Sequence, residues 1–277
     1  MPLASPDLPP KPARTMTHEQ ISVTEDARTA APEAIALLLA SADENILRAL
    51  IENPALDESH LCLLLERKDL PGTLLGEIAK QKNWRTNYRV RRALAGHPHT
   101  PRLAAMRLLR ELHLMDLVRI SVQTAVPVEL RRLAEDRVIS QLPQLPLGQR
   151  IMLARRGPAR VAGGLVAQGP EQVARIALDN SFLTESQLLR SLARETLPAQ
   201  TVAAIARHEK WSKLMNVRVA LLRHPHAPGE RVRSFLPDLP LRELQELLKE
   251  SRLSEDVRDH LRREIASRKQ QNTLTQT

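Results

Sequence analysis

Aromatic residues are what this sequence most conspicuously lacks: 277 residues hold two Trp, one Tyr and two Phe. An enzyme of this length ordinarily packs aromatics around its core and pocket. Here the apolar fraction rests on Leu, Ala, Val and Ile, which favours small helical units joined through aliphatic faces. Cysteine occurs once, as Cys62 in the run HLCLLLE. An intrachain disulfide is therefore excluded, and a buried, inert thiol is expected. No apolar run approaches the roughly 20 residues that span a bilayer, so no membrane insertion is expected. The opening MPLASPDLPPKPAR has no basic region followed by an apolar core, so it does not read as a signal peptide, and a cytoplasmic protein is expected. GxSxG, HExxH, CxxC, P-loop and GxGxxG motifs are all missing. No catalytic, cofactor-binding or metal-ligating residue emerges, and the chain is expected to be non-catalytic and to need no cofactor.

Charge is present and unevenly spread. The net charge is +9, yet residues 1–60 carry four basic side chains against ten acidic ones. The positive field belongs to the remainder, with 37 basic and 22 acidic residues. Residues 1–28 are Pro-rich, polar and without sustained periodicity, and read as a disordered tail. Residues 268–277 read as a flexible C-terminal tail, which leaves 29–267 as the folded domain.

Within that domain, apolar residues recur at three- and four-residue spacings in short blocks separated by Pro, Gly, Asn or His-Pro. The chain is expected to be all-α. The blocks repeat. ENPALDESHL (52–61), GHPHTPRLAA (96–105), QLPQLPLGQR (141–150), DNSFLTESQL (179–188) and RHPHAPGERV (223–232) begin 44, 45, 38 and 44 residues apart. Each follows one short helix and precedes two more, with Asp57 and Thr184 as expected N-caps. This pattern resembles HEAT-like α-solenoids. The junctions RRALAGHPHTP and RALIENPALDESHL are also similar to the leucine-rich repeat variant family. The resemblance covers roughly 30–266. It implies a right-handed α-solenoid of about five irregular three-helix repeats with a period of about 44 residues. It further implies a scaffold or adaptor that binds another macromolecule, usually a protein. A few such arrays bind nucleic acid. A small HEAT-like group of similar size excises damaged bases, but none of its catalytic residues can be matched here.

The tripeptide His-Pro-His occurs twice, and 84–101 aligns without a gap to 211–228, an offset of 127. Two imidazoles per site fall short of the three or four ligands of a zinc centre. His97 and His224 stand where Asn53 and Asn180 stand at other junctions, and are expected to mark helix ends. Thr100-Pro101 reads as an N-cap and first helical position. Trp84 and Trp211 share a repeat position, either as packing residues or as binding hot spots. From Lys80 to Arg110 run nine basic side chains and no acidic one. Read as one helix around 85–95, this segment aligns Arg85, Arg89 and Arg92 on a single face. Arg131, Arg175 and Arg218 on later units would extend the strip. Its expected partner is a protein that offers an acidic segment, with the phosphate backbone of a nucleic acid as the alternative.

Overall fold

The computed structural model describes residues 18–250 and 253–275. Among the described residues every regular element is a helix, and none is long and apolar enough to cross a membrane. The chain divides into two compact units, Met1–Leu112 and His113–Thr277. The first contains α1 (His18–Thr29), α2 (Pro32–Leu38), α3 (Glu44–Ile51), α4 (Glu58–Glu66), α5 (Gly72–Lys80), the single turn α6 (Lys82–Arg85), α7 (Tyr88–Ala95) and α8 (Arg102–Leu109). The second contains α9 (Leu114–Val122), α10 (Val128–Gln141), α11 (Leu147–Arg156), α12 (Ala159–Gln168), α13 (Glu171–Leu178), α14 (Glu185–Leu192), α15 (Ala199–Arg207), α16 (Met215–Arg223), α17 (Gly229–Phe235), α18 (Leu241–Leu248) and α19 (Glu255–Thr275). Short 3₁₀ turns lie at Leu142–Gln144, Trp211–Lys213 and Leu236–Asp238.

The series of helices runs through twice. The residues that open α2, α3, α4, α5, α7, α8, α9 and α10 each stand 127 positions before those that open α12, α13, α14, α15, α16, α17, α18 and α19. The offset between the two His-Pro-His sites therefore governs whole helices.

Proline and short polar caps set the helix starts. Pro71, Pro101, Pro127, Pro146, Pro158, Pro170, Pro198, Pro228 and Pro240 are all N-caps. At a helix start their missing amide costs little. Asp57 accepts from His60 N and Thr184 from Gln187 N, as their place in the sequence implies. Thr100 does not cap α8: its hydroxyl donates to Leu94 O (2.7 Å) and closes the end of α7 instead. Helices this short are marginal alone, so burial of an aliphatic stripe on each supplies what propensity cannot. In the second unit Leu222, Leu236, Leu239, Leu244, Leu247 and Leu261 belong to one such core.

The helices reach beyond the expected domain bounds at both ends. α1 occupies much of the segment read as a disordered tail, because Ala27 is buried and the carbonyls of Ala27 and Ala30 accept from Asn53 Nδ2 (2.9 and 3.0 Å). The rest of that segment, 1–17, lies outside the described residues, as do 276–277. α19 continues past Ser267. Arg268 donates from there to Leu236 O and Leu239 O (2.6 and 2.7 Å), which ties the helix to the 3₁₀ turn at Leu236–Asp238.

Asn53 illustrates a device used at four junctions. Its Oδ1 accepts the amide of Ala55, two residues ahead, while Nδ2 reaches back to the end of α1. Asn180 likewise accepts from Phe182 N and donates to Ala154 O and Gly157 O at the end of α11. His97 does with an imidazole what these residues do with an amide. Nδ1 accepts from His99 N, and Nε2 donates to Arg67 O (2.6 Å) at the end of α4. His224 repeats this with His226 N and with Arg194 O just after α14. A carbonyl can only accept and an amide N–H can only donate, so both rings are held as neutral Nε2–H tautomers. With both nitrogens engaged, neither ring has a lone pair to offer a metal.

Burial lowers the pKa of His97 and His224, opposed in part by the carbonyl bonds. The unfolded chain then binds more protons than the folded one once pH drops below the ordinary histidine value of 6.5. Stability should be fully present above that value and fall as pH is lowered, with a slope of up to about 1.4 kcal/mol per pH unit for each histidine. Urea unfolding at a series of pH values on either side of the histidine range reads this slope, and the double variant His97→Asn/His224→Asn should flatten it. His97→Ala, which leaves a carbonyl and an amide unpaired, should cost about 1–3 kcal/mol at neutral pH in the same measurement.

Candidate macromolecule-binding groove

In the first unit a groove of about 900 Å³ opens between α5 and α8. Its floor is made of small and aliphatic groups: Gly72, Gly76, Ala79, Pro101, Ala104 and Leu108. The backbone can come this close because two positions lack a side chain. A Cβ on Gly72 would lie 2.9 Å from His99 O, and one on Gly76 3.3 Å from the Pro101 ring. Leu103, 71% exposed, stands on the rim.

Four cations surround this floor: Lys80 at the end of α5, Arg85 on α6, Arg107 on α8 and Arg110 just beyond it. All four are exposed, and none has an ion-pair partner among the described residues. The groove also holds two carboxylates, but both are engaged by cations that do not line it. Glu77 pairs with Arg48 (3.3 Å) and Glu111 with Arg91 (2.6 Å). An apolar floor bordered by uncompensated positive charge can seat an aliphatic anchor flanked by anions.

Of the residues marked in the sequence, only Arg85 belongs to this groove. The single helix expected around 85–95 is broken. Asn87 accepts from Arg89 N and Val90 N (3.0 and 3.3 Å) and starts α7 afresh, so Arg85 on α6 is out of register with Arg89 and Arg92. Arg89 pairs with Glu58 (3.3 Å), and Arg92 lies on α7, its charge felt at Cys62 on α4. That thiol is half-buried and its pKa is raised, first by burial and then by Glu58. Arg131 is half-buried on α10 with its Nε buried and unbonded. Arg175 pairs with Glu171 one turn back on α13. Arg218 is engaged within the fold: Nε donates to Ser212 O, Nη1 to Asp238 (both 2.6 Å), and the guanidinium sits over the Phe235 ring.

The two tryptophans also part company. Trp211 is buried to 1% exposure, its indole N–H donates to Leu178 O (2.8 Å), and Lys210 Nζ lies 4.1 Å over the ring. Trp84 is half-buried on α6, and the carbonyl corresponding to Leu178 O, that of Ile51, accepts from Gln81 Nε2 instead. Sequence reasoning does not single out Lys80, Arg107, Arg110 or Leu103 as parts of a site. The acid-free run 80–110 already holds the three cations. What selects them is the turn at Thr100-Pro101, which separates α8 from α7.

No family model matches the chain, and neither a curated protein nor a solved structure does.

Because Trp211 is a core residue, Trp211→Ala should cost about 3–5 kcal/mol in chemical denaturation. The half-buried Trp84→Ala should cost well under half of that in the same experiment.

Proposed function

We propose that this chain is a non-catalytic helical-repeat scaffold, HEAT-like in architecture, which holds an acidic segment of another protein in the groove between α5 and α8. The right-handed solenoid with its 44-residue period and the kinship with leucine-rich repeat variants belong to this reading. They rest on the junction spacing and on the doubled order of helices.

One observation supports the binding site: among the described residues Lys80, Arg85, Arg107 and Arg110 are unpaired around an apolar floor whose own carboxylates are engaged elsewhere. Salt-bridging these cations within the fold would be easy, since other arginines of the unit are paired in that way. A protein segment fits better than a phosphate backbone because the floor is aliphatic. It offers no aromatic platform on which bases stack.

Selection of a displayed peptide library on the full-length protein tests this. The enriched peptides should carry Asp or Glu around an aliphatic or aromatic anchor. The double variant Lys80→Glu/Arg107→Glu should weaken them at least about tenfold, or about 1.4 kcal/mol, by fluorescence anisotropy. Enrichment of uncharged sequences, or binding indifferent to the two substitutions, would exclude the groove. A gel shift of duplex or single-stranded nucleic acid at ~50 mM salt that these substitutions abolish would reassign it to a phosphate backbone.

A further inference from the structure

In the second unit α12 is packed onto α10 by charge and by size. Arg160 on α12 donates to Glu135 (3.0 Å) and to Asp136 on α10. Gly164, also on α12, leaves room for bulky neighbours: a Cβ there would lie 3.3 Å from Leu142 Cδ1 and 3.4 Å from Ile139 Cγ1. The Glu135 side chain is only 13% exposed in this contact.

The 127-residue offset assigns each partner a counterpart, α2 for α12 and α19 for α10. At the counterpart positions both properties are exchanged. Arg160 corresponds to Glu33 on α2, while Glu135 and Asp136 correspond to Arg262 and Arg263 on α19. Gly164 corresponds to Leu37 and Ile139 to Ala266, while Leu142 corresponds to Lys269, which stays long. The cation has moved from one helix to the other, and at the Ile139 position so has the large side chain. All six counterpart residues are exposed, Leu37 to 79%.

We propose that α19 of one copy of this chain docks on α2 of a second copy, in the manner in which α10 packs on α12 within each chain. Glu33 then meets Arg262 and Arg263, and Leu37 fills the space left by Ala266. In the isolated chain Arg262 turns to Glu255 and Asp259 on its own helix (3.4 and 3.0 Å), and Arg263 to His260 and Asp259 O. These are exposed contacts that cost little to exchange. α2 ends three residues earlier than its counterpart α12, but Glu33 and Leu37 both lie inside it. The contact joins two different surfaces, so it propagates head to tail rather than closing on a two-fold axis.

Light scattering and sedimentation of the full-length protein from ~1 µM to ~500 µM test this, a range wide enough to register both micromolar and weaker self-association. The mean mass should rise with concentration, and less so in high salt. Glu33→Arg alone, or Arg262→Glu with Arg263→Glu, should weaken association at least about tenfold, and Leu37→Asp should do the same. Mixing the Glu33→Arg protein with the Arg262→Glu/Arg263→Glu protein should restore assembly, because every contact in an alternating array is then between opposite charges. That recovery also shows that both variants are folded. A protein that stays monomeric throughout overturns the proposal, as does association indifferent to all three variants or a mixture that fails to assemble. So does association that appears only on deleting residues 1–17, which would make that segment the occupant of α2.

Discussion

The junction side chain that accepts from an amide two residues ahead and donates a hydrogen bond to a carbonyl 23–30 residues behind is the contact on which the rest depends. Helices of eight or nine residues leave terminal carbonyls unsatisfied and gain little from their own hydrogen bonds. A buried side chain that closes its own turn and also satisfies the end of an earlier helix removes both deficits. It needs one donor and one acceptor on the same terminal group, which an Asn amide and a neutral imidazole both provide. Lys and Arg have no acceptor, and Asp has no donor. His208 applies the same rule at a more exposed junction, accepting from Lys210 N and reaching Asp179 (3.1 Å). The repeated histidines are thus amide equivalents, and their requirement to stay neutral follows from that role.

The positive charge divides between architecture and surface. Arg67 donates to Leu39 O and Ser41 O (2.6 and 2.8 Å), Arg268 holds a 3₁₀ turn, and Arg91, Arg160 and Arg218 bind carboxylates 20–25 residues away. These guanidiniums act as planar forks that satisfy helix ends and carboxylates, a use for which Lys is poorly shaped. Net charge therefore overstates what is available to a partner. Only the cations left over after this internal use, such as Lys80, Arg85, Arg107 and Arg110, contribute an uncompensated field.

Local signals in the sequence are faithful where the physics is local. Helical periodicity, the caps at Asp57 and Thr184, the Pro starts and the kinship of Asn53 with His97 are all legible. Most departures share one cause, a partner far away in sequence. α1 reads as tail because its stabilising contact comes from Asn53, and α19 outruns its expected end through Arg268. Two departures are local: Asn87 is a cap hidden within an otherwise unbroken arginine pattern, and Thr100 turns back to Leu94 O, six residues behind, instead of capping α8. The site is legible as a segment, 80–110, but not as a surface. Which cations remain free depends on where Arg48 and Arg91 find Glu77 and Glu111.

The doubling supplies an internal control on that surface. The clamp survives in both copies, as Asn53 with Asn180 and His97 with His224, and so do Trp84 with Trp211 and Arg91 with Arg218. Three of the four cations of the groove do not. Lys80 has Arg207 as its counterpart, but Arg85, Arg107 and Arg110 stand opposite Ser212, Ser234 and Pro237. Gly72, which admits the backbone of His99, stands opposite Ala199. If the basic groove were a by-product of building this kind of helix series, the second copy would carry it too, since it builds the same series on the same clamps. The confinement of most of its charge to one copy separates the residues that make the fold from the residues laid upon it, and Arg85, Arg107 and Arg110 fall among the latter, whereas Lys80 keeps a basic counterpart.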